Sequence, residues 1–328
     1  MADTNTLYYM NTKKKYIANV ERYSQEEALY SRCGWSGVKL PKVSLGFWHN
    51  FGYDNPYERQ RELAHYAFDH GITHFDLANN YGPPYGSAEE NFGKMMDEDF
   101  RPYRDELFIA TKAGYDMWEG PYGNWGSRKY LMSSLDQSLK RMRLDYVDLF
   151  YSHRYDPETP LEETLQALVD VVKQGKALYV GVSRWPLQAL KRAKEYLAAR
   201  DVPLLIYQGR LNLIDREQQE EGILDYCADN GIGFISFSPL AQGLLTDKYL
   251  NGIPADSRMT HSAYLKPDAL TPELLAQLRE MSDKAKAEGS TLADQALRWV
   301  SEQRGVTSVL VGISKTEQME RNLKAVLN

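Results

Sequence analysis

Four polar residues whose side chains can take part in acid–base chemistry occur along the first half of the chain. Asp76 follows the apolar run ITHF, and Tyr81 comes five residues later in the Gly- and Pro-rich segment NNYGPPYG. Lys112 lies in IATKAG and His153 in FYSHR. A carboxylate, a phenol, an ammonium and an imidazole can each hold or pass a proton. Their order raises the question of whether the fold brings them together as one acid–base site.

Each of these residues, taken alone, also has an ordinary structural interpretation. An aspartate at a strand end is most often a turn residue or a helix N-cap. A loop tyrosine usually packs, a lysine at a strand end usually reaches solvent, and a single histidine more often makes a structural hydrogen bond. The four together are harder to explain in this way, because they follow three consecutive strand-like segments.

Strand-like and helix-like segments alternate from end to end of the chain. Several strand-like segments are nearly continuous apolar runs, as expected for strands buried on both faces of a parallel sheet. Amphipathic stretches such as LEETLQALVDVVKQG lie between them, and several end in the Gly or basic residues typical of helix C-termini. The predicted strands cover residues 43–48, 74–79, 107–114, 146–153, 177–183, 203–209, 233–240 and 306–314.

Eight β-α units without a break in composition predict an α/β fold, a (β/α)8 TIM barrel. The segment LYSRCGWSGVKL predicts an N-terminal β-hairpin, and two helical patterns, 272–288 and 291–304, predict one extra helix before the eighth strand. The alternative is an open doubly wound sheet, but LGFWHNFG lacks the GxGxxG turn that such a sheet would want after its first strand. Because barrel enzymes carry their chemistry at the C-terminal ends of strands, the four polar side chains should converge there.

The domain prediction is a single barrel domain over residues 30–328, preceded by a leader segment over residues 1–29. We interpret the leader as either flexible or specific to a subfamily. It contains a lysine cluster, but no apolar stretch follows that cluster. We therefore expect no signal peptide.

Composition and charge narrow the classes of partner. The net charge of -6 gives no indication of nucleic acid as a partner. No apolar run approaches the roughly 20 residues of a membrane span. Cys33 and Cys227 lie far apart and in no metal-binding spacing, which argues against a disulfide framework and favours a reducing, cytoplasmic location. We expect no bound metal.

Several longer stretches carry a family resemblance. From residue 30 onward the chain resembles the aldo-keto reductases, through WHNFG, THFDLANNYGPP, TKAGYDMW, GKALYVGVS, SPLAQGLLT and DSRM. Within the family it is most similar to the bacterial subgroup of L-glyceraldehyde 3-phosphate reductases, and next to the potassium-channel β subunits. Asp76, Tyr81, Lys112 and His153 match the Asp, Tyr, Lys and His tetrad of the family in order and in local context.

The resemblance implies that the chain is an enzyme that reduces a small aldehyde to the alcohol. Hydride delivery to a carbonyl carbon generates an alkoxide, which needs a proton as the charge develops. Tyr81 would supply that proton, and Lys112 would lower the pKa of the phenol from about 10 toward the working pH. Asp76 would keep Lys112 charged and aimed. A neutral His153 would donate a hydrogen bond to the substrate oxygen.

The resemblance also implies NADPH, held in an extended pose across the barrel mouth. Ser183 and Gln208 match positions that hold the nicotinamide carboxamide. Phe237 matches an aromatic residue that stacks on the nicotinamide ring, although a core role explains it equally well without the family. The loop 238–243 matches one that covers the pyrophosphate. The predicted cofactor-binding residues are Trp48, Ser183, Arg184, Gln208, Phe237, Ser238, Pro239, Leu240, Gln242, Gly243, Lys248, Arg258, Gly312, Ser314, Lys315, Gln318 and Asn322.

The adenosine end of the cofactor would lie on the last predicted helix. Gln318 and Asn322 are four residues apart and so share one helix face. Arg258 matches a residue that contacts the 2′-phosphate, and Lys315 could add to that contact or could simply be solvated. Arg321 departs from the family, because relatives often carry a glutamate there.

The predicted substrate contacts are Trp48, Tyr115, Trp118 and Arg154. The three aromatic residues could form an apolar wall around a small aldehyde. Arg154 directly follows the tetrad histidine and has two interpretations. It could face a substrate phosphate, or it could only pair with Asp156. The resemblance favours glyceraldehyde 3-phosphate as the substrate, and methylglyoxal is an alternative.

Two other functional classes stay open. A channel β subunit keeps the same tetrad and binds NADP, yet acts mainly as a partner or redox sensor. A barrel without redox chemistry could use Lys112 as a Schiff base, although Asp76 and Tyr81 in register with it disfavour this. A homo-oligomer is compatible with the subgroup, but the sequence indicates no number of subunits.

Overall fold

The part of the chain that the structure describes contains ten strands. The computed structural model describes residues 15–255, 257–261 and 265–327. Two short antiparallel strands form a hairpin, and the other eight are parallel and close into one barrel. The strands are β1 (Tyr30–Arg32), β2 (Lys39–Pro41), β3 (Val43–Gly46), β4 (His74–Asp76), β5 (Phe108–Ala113), β6 (Val147–Ser152), β7 (Ala177–Ser183), β8 (Leu204–Arg210), β9 (Gly233–Phe237) and β10 (Val306–Val311).

Helices lie between the barrel strands and cover the outer wall. Two long helices, Pro272–Ala287 and Leu292–Ser301, directly precede β10, so the predicted barrel with its N-terminal hairpin and extra helix is confirmed. Within the described residues, no helix is both long and apolar enough to cross a membrane. The helices are α1 (Glu26–Leu29), α2 (Tyr57–Asp69), α3 (Ser87–Met95), α4 (Arg128–Met142), α5 (Leu161–Lys173), α6 (Leu187–Ala198), α7 (Glu217–Glu220), α8 (Ile223–Asp229), α9 (Arg258–His261), α10 (Pro272–Ala287), α11 (Leu292–Ser301) and α12 (Thr316–Leu327).

Helix α5 shows why these segments are helical and which face they bury. Its residues Leu165, Leu168 and Val169 recur at helical spacing and are fully buried against the barrel. Glu162 and Glu163 lie in its first turn and Lys173 in its last, where each charge complements the helix dipole.

The strand register places the chemically interesting residues at one end of the barrel. Gly46 of β3 pairs with Asp76 of β4. Ala113 of β5 pairs with Ser152 of β6, and His153 follows directly. On the other side of the barrel, Ser183 of β7 pairs with Gln208 of β8. Since all eight strands are parallel, these positions open onto the same mouth.

Strands β4 and β9 end earlier at the mouth than the sequence predicted. The apolar pattern suggested residues 74–79 and 233–240, but β4 ends at Asp76 and β9 at Phe237. Ser238 has φ 52, a left-handed conformation that takes the chain out of the ladder. The extra apolar residues belong to loops that are buried at the mouth, so their composition looks like that of a strand.

The hairpin closes the opposite end of the barrel. Cys33 and Leu40 belong to one buried cluster with barrel residues such as Leu149 and Ile206. Gly34 has φ 54, and a Cβ there would lie 2.0 Å from the carbonyl oxygen of Gly231, just before β9. The hairpin therefore packs backbone to backbone on the barrel floor.

The leader is packed from residue 15 onward. Tyr16 stacks on His65 with ring centroids 3.9 Å apart, and its hydroxyl donates to Asp69 at 2.7 Å. Arg22 pairs with Glu106 at 2.5 Å. These three side-chain contacts tie the described part of the leader to the barrel. Residues 1–14 lie outside the described residues, and the division into leader and barrel domain stays a prediction.

Candidate active site

Asp76, Tyr81 and Lys112 meet at the barrel mouth. The Lys112 ammonium donates to Asp76 Oδ2 at 2.5 Å, to the carbonyl of Leu77 at 2.6 Å and to the Tyr81 hydroxyl at 3.3 Å. The other Asp76 oxygen accepts from Gln208 Nε2 at 3.1 Å. Asp76 and Lys112 are fully buried. A buried ion pair with every polar atom engaged is held in one geometry.

A tight loop after β4 fixes the position of Tyr81. The Tyr81 N–H donates to the Ala78 carbonyl at 3.1 Å, and the Gly86 N–H donates to the Tyr81 carbonyl at 3.1 Å. Gly82 has φ 142, and a Cβ there would lie 2.1 Å from the Pro84 carbonyl oxygen. The glycine is therefore a steric requirement of the loop that presents the phenol.

The pKa of Tyr81 moves in the direction opposite to the one expected from the sequence. Burial raises it well above 10, and the charges of Asp76 and Tyr115 add to the rise. The expected fall of this pKa toward the working pH is therefore not found, because the desolvation of the buried phenol outweighs any stabilisation of its charged form by Lys112, whose own charge is paired with Asp76 at 2.5 Å. Burial also lowers the pKa of Lys112, while the Asp76 carboxylate opposes that shift. The phenol is thus fully protonated at neutral pH.

The imidazole ring of His153 packs beside the rings of Tyr81 and Tyr115. Its centroid is 5.9 Å from that of Tyr81 and 4.7 Å from that of Tyr115, with the rings close to perpendicular. Burial lowers its pKa well below 6.5, and Lys112 and the nearby arginines Arg184 and Arg154 lower it further. The imidazole is therefore neutral. Its Nδ1 is buried without a hydrogen-bond partner in the described part of the chain.

A cleft of about 490 Å³ opens above these side chains and runs along the barrel mouth. It extends from Tyr115 to the start of α12, so Asp76, Tyr81 and His153 line one continuous groove with most of the predicted cofactor residues, and Lys112 is buried behind them. The predicted residues that line it are Trp48, Asp76, Tyr81, Tyr115, His153, Ser183, Arg184, Gln208, Phe237, Ser238, Pro239, Leu240, Gln242, Gly243, Lys248, Gly312, Ser314 and Gln318.

Residues 42–328 match the sequence model of the Aldo/keto reductase family.

The chain belongs to the aldo/keto reductase family.

Individual relatives agree with this assignment. The chain is 56% identical over 318 residues to the L-glyceraldehyde 3-phosphate reductase of Escherichia coli O157:H7, covering 95% of this chain and 91% of that protein. It is 35% identical over 303 residues to a probable voltage-gated potassium channel subunit beta of Arabidopsis thaliana, covering 90% of each. A thermostable aldo-keto reductase solved with the inhibitor epalrestat superposes with a TM-score of 0.69 at 30% identity, covering 90% of this chain and 93% of that one.

The predicted resemblance and the predicted enzyme class are both confirmed by these matches. The chain is an oxidoreductase and is close in sequence to L-glyceraldehyde 3-phosphate reductase. Aldo-keto reductases generally use NAD(P)H, so the cleft should accept a dinucleotide.

The cleft of this aldo-keto reductase contains polar groups that suit such a ligand. Asn80 lines it, and the Oδ1 of this residue is buried with no hydrogen-bond partner among the described residues. Ser238, Ala241 and Gln242 have φ values of 52, 45 and 58, so the loop after β9 turns repeatedly through left-handed conformations. Backbone N–H groups in such turns form concavities that bind anions. The loop fits the pyrophosphate role that the sequence predicts.

Only some of the residues predicted to contact the adenosine end of the cofactor line the aldo-keto reductase cleft. Gln318 Oε1 accepts from the N–H groups of Ser314 at 2.7 Å and Lys315 at 3.2 Å, which fixes the loop at the start of α12. Lys315 is exposed and Asn322 is buried on α12, and neither lines the cleft. Arg258 begins α9, and its side chain lies outside what the structure describes.

The four predicted substrate residues separate into two pairs. Trp48 and Tyr115 line the cleft beside the tetrad. Trp118 instead packs on the ring of Tyr130, with centroids 5.1 Å apart. Arg154 also lies off the cleft. The proposed pairing of Arg154 with Asp156 is not formed, because the carboxylate accepts hydrogen bonds from Gly126, Glu158 and Thr159.

Sequence reasoning missed several cleft residues of the aldo-keto reductase. Asn50 has φ 70, and its amide donates to the Ile313 carbonyl at 2.8 Å, which joins the loops after β3 and β10. Asn80 and Arg210 could have been found from their positions in the sequence. Asn80 directly precedes the predicted proton donor, and Arg210 directly follows the predicted end of its strand. The missed lining residues are Gly46, His49, Asn50, Asn80, Arg210, Thr246, Tyr249, Leu310 and Val311.

Metal ligands do not cluster in the part of the chain that the structure describes. No group of three or more His, Cys, Asp or Glu side chains there could hold a metal ion. The polar groups of the cleft are those of an acid–base site.

Proposed function

We propose that this aldo-keto reductase uses NADPH to reduce a small aldehyde to the corresponding alcohol, with the proton taken from Tyr81. One observation carries the proposal. The Tyr81 hydroxyl lines the cleft 3.3 Å from the Lys112 ammonium, which is itself paired with Asp76 at 2.5 Å. Such an arrangement supplies both a proton and a positive charge where an alkoxide would develop.

Each side chain of the tetrad has a separate task in this mechanism. Bound NADPH would supply the hydride. Tyr81 holds a proton on its hydroxyl because burial keeps its pKa high. Lys112 stabilises the phenolate that proton transfer leaves behind, and Asp76 holds the ammonium in place. His153 is neutral, so it can donate a hydrogen bond to the substrate oxygen without adding a competing acid.

The preferred substrate is L-glyceraldehyde 3-phosphate, and methylglyoxal is the second candidate. Sequence supports this order, since the chain is 56% identical to a reductase of that name. The site supports a small substrate, because the Trp48 ring lies 6.5 Å from that of Tyr81 and the Tyr115 ring 4.7 Å from that of His153, and both line the cleft. We infer NADPH rather than NADH from Lys248 in the cleft and from Arg258, whose position matches a contact to the 2′-phosphate.

Tyr81→Phe tests the proposal directly. The variant keeps the ring and its packing but removes the proton donor, so we expect kcat to fall by about 100-fold or more. NADPH binding, followed by fluorescence titration, should stay within a few-fold of the parent. Turnover is followed by loss of absorbance at the nicotinamide band with glyceraldehyde 3-phosphate or methylglyoxal. Near-normal turnover in this variant would remove Tyr81 from the mechanism.

A redox-sensing or partner-binding role is the second candidate function. It is favoured by the 35% identity to a probable potassium channel subunit beta. Multiple turnovers of NADPH per protein would support the reductase. A single slow oxidation of one bound equivalent would support the sensor.

The remaining proposals concern the surroundings of the enzyme. We infer a cytoplasmic location because both cysteines, Cys33 and Cys227, are free and buried. The partner is a small-molecule aldehyde, and the net charge of -6 favours no nucleic acid.

A further inference from the structure

Two arginines lie next to Tyr115, and their guanidinium groups make different contacts. Arg154 is held by contacts to one loop. Its Nε donates to the Gly114 carbonyl at 2.7 Å and its Nη2 to Asn124 Oδ1 at 2.6 Å. The guanidinium stacks 3.5 Å from the Trp125 ring centroid and 4.5 Å from that of Tyr115. These contacts hold the loop between β5 and α4, so Arg154 is a positioning residue.

Arg184 is in the opposite situation. It follows β7, lines the cleft and is exposed. Its backbone has φ 56, so the chain turns sharply after the buried Ser183 and carries the side chain to the rim. Its Nη1 donates to the Tyr115 hydroxyl at 2.9 Å, the one hydrogen bond of this side chain to the described residues. A guanidinium has five N–H donors, so most of them remain available to a ligand.

A short series of contacts connects Arg184 to the reacting group. Its partner Tyr115 packs edge-on against His153 at 4.7 Å, and His153 packs edge-on against Tyr81 at 5.9 Å. In addition to burial, the charge of Arg184 acts on the imidazole and lowers the pKa of His153. Arg184 lines the same cleft as Tyr81 and His153, so it is placed to meet an anionic group at the far end of a small aldehyde.

Other cations of the cleft are less suitable. Arg210 also lines it, but its Nη1 is paired with Asp215 at 3.3 Å. Lys248 lies in the cleft beyond the loop after β9, on the side of the predicted pyrophosphate contacts. An arginine fork suits a phosphate better than a lysine does, since it can make two parallel hydrogen bonds.

We propose that Arg184 and the Tyr115 hydroxyl form an anion subsite that binds the phosphate of the aldehyde substrate. The proposal rests on the proposed reductase function and gives its substrate class, a small aldehyde with a phosphate at the opposite end. It replaces one of the two interpretations of Arg154, a contact to a substrate phosphate, and the predicted assignment of Arg184 to the cofactor. The revision follows from the geometry, because Arg154 lies off the cleft and is held by loop contacts, whereas Arg184 lines the cleft with one side-chain hydrogen bond to the described residues.

Arg184→Gln tests the subsite by comparing glyceraldehyde 3-phosphate with unphosphorylated glyceraldehyde. We expect KM for the phosphorylated aldehyde to rise about 10-fold, equivalent to about 1.4 kcal/mol. Its kcat should change little, and KM for glyceraldehyde and the affinity for NADPH should stay within about 2-fold of the parent. Arg184→Lys keeps the charge without the fork and should give an intermediate KM. Arg210→Gln, with the same loss of charge at the rim, should leave the preference for phosphate intact.

A binding measurement makes the result independent of turnover. Isothermal titration of the NADP-saturated protein with glycerol 3-phosphate and with glycerol should show tighter binding of the phosphate, and Arg184→Gln should remove the difference. If the parent shows this Arg184-dependent difference but turns over no aldehyde, the subsite stands and the reductase proposal fails. Equal binding of both compounds by the parent would overturn the subsite. So would weaker NADPH binding by Arg184→Gln with an unchanged phosphate preference, which would return Arg184 to the cofactor.

Discussion

The Asp76–Lys112 ion pair is buried, and it depends on the polar partners that the closed site provides. Both groups are fully buried, and removing two charges from water costs several kcal/mol per ion before their attraction is counted. Here the carboxylate accepts from Lys112 and Gln208, and the ammonium also donates to the Leu77 carbonyl. This full set of partners offsets the desolvation. It also means that replacing either member would leave an uncompensated charge in the barrel.

A second buried titratable group lies below this pair and links stability to pH. His74 is fully buried, with Nδ1 2.8 Å from Ser44 Oγ, and burial lowers its pKa to about 4. The unfolded chain binds a proton at this residue near pH 6.5, whereas the native state does so only near pH 4. The unfolded state therefore holds more protons between these values. The free energy of unfolding must rise with pH across this window and fall as the solution is acidified.

His74→Gln should reduce this acid sensitivity. Between pH 6.5 and pH 5 the histidine accounts for about 2 kcal/mol of lost stability, at about 1.4 kcal/mol per pH unit. We expect the variant to lose correspondingly less in urea unfolding measured at pH 7 and pH 5. The control is His70→Gln, since His70 is exposed on the surface. Equal losses in the parent and in His74→Gln would show that this imidazole titrates normally in the fold.

At the scale of elements, the site depends on where strands stop and loops begin. Tyr81 is presented by the loop between β4 and α3, and that loop has no room for a side chain at Gly82. A Cβ there would lie 2.1 Å from the Pro84 carbonyl oxygen and 2.2 Å from Ser87 Oγ. Contacts below 3 Å force the backbone to move, and any movement here displaces the phenol.

Gly82→Ala should therefore lower catalysis more than it lowers stability. We expect kcat to fall by about 10-fold or more, because a shift of about 1 Å in a reacting group can cost up to 100-fold. Gly252→Ala is the matched control. Gly252 also has a left-handed φ, 119, but a Cβ there would meet nothing within 4 Å. A change of kcat that is the same in both variants would show that backbone strain, and not the position of Tyr81, limits the rate.

At the scale of the whole molecule, the barrel is closed at its floor by the hairpin and keeps both thiols inside. Cys33 lies in the hairpin and Cys227 in α8, and each is fully buried. Burial raises the pKa of Cys33 to about 12 and raises that of Cys227 further. Since the thiolate is the reactive form, neither group should react while the barrel is intact.

The thiols should accordingly report unfolding of the barrel. We expect the native protein to show almost no reaction with a disulfide reagent, and two thiols to react in denaturant. With increasing urea, the onset of thiol reactivity should follow the loss of far-ultraviolet circular dichroism. Rapid reaction of one thiol in native buffer would mean that the hairpin opens on its own, which mass spectrometry of the labelled peptide would locate at Cys33.

Much of this organisation could be predicted from local patterns. The eight apolar runs and the helices between them are local signals of burial, so the barrel, the hairpin and the helix pair before β10 were predictable. Strand ends were less so, because the loop residues after Asp76 and Phe237 are as apolar as the strands. Most of the residues that line the cleft were predictable, but only because long stretches resemble a family.

The sequence by itself determined which residues arrive at the mouth, since strand order and parallel direction place Asp76, Lys112 and His153 at the same end. Tertiary structure alone decided their electrostatic state. The pKa of Tyr81 rises and does not fall, because desolvation depends on everything packed around the phenol. It likewise decided between two arginines of the same type. Arg154 contacts Gly114, Asn124 and Trp125 of a folded loop, whereas Arg184 lines the cleft. The hydrogen bonds that a side chain makes and the extent of its desolvation depend on the residues packed around it. The spacing of residues along the sequence does not determine either of them.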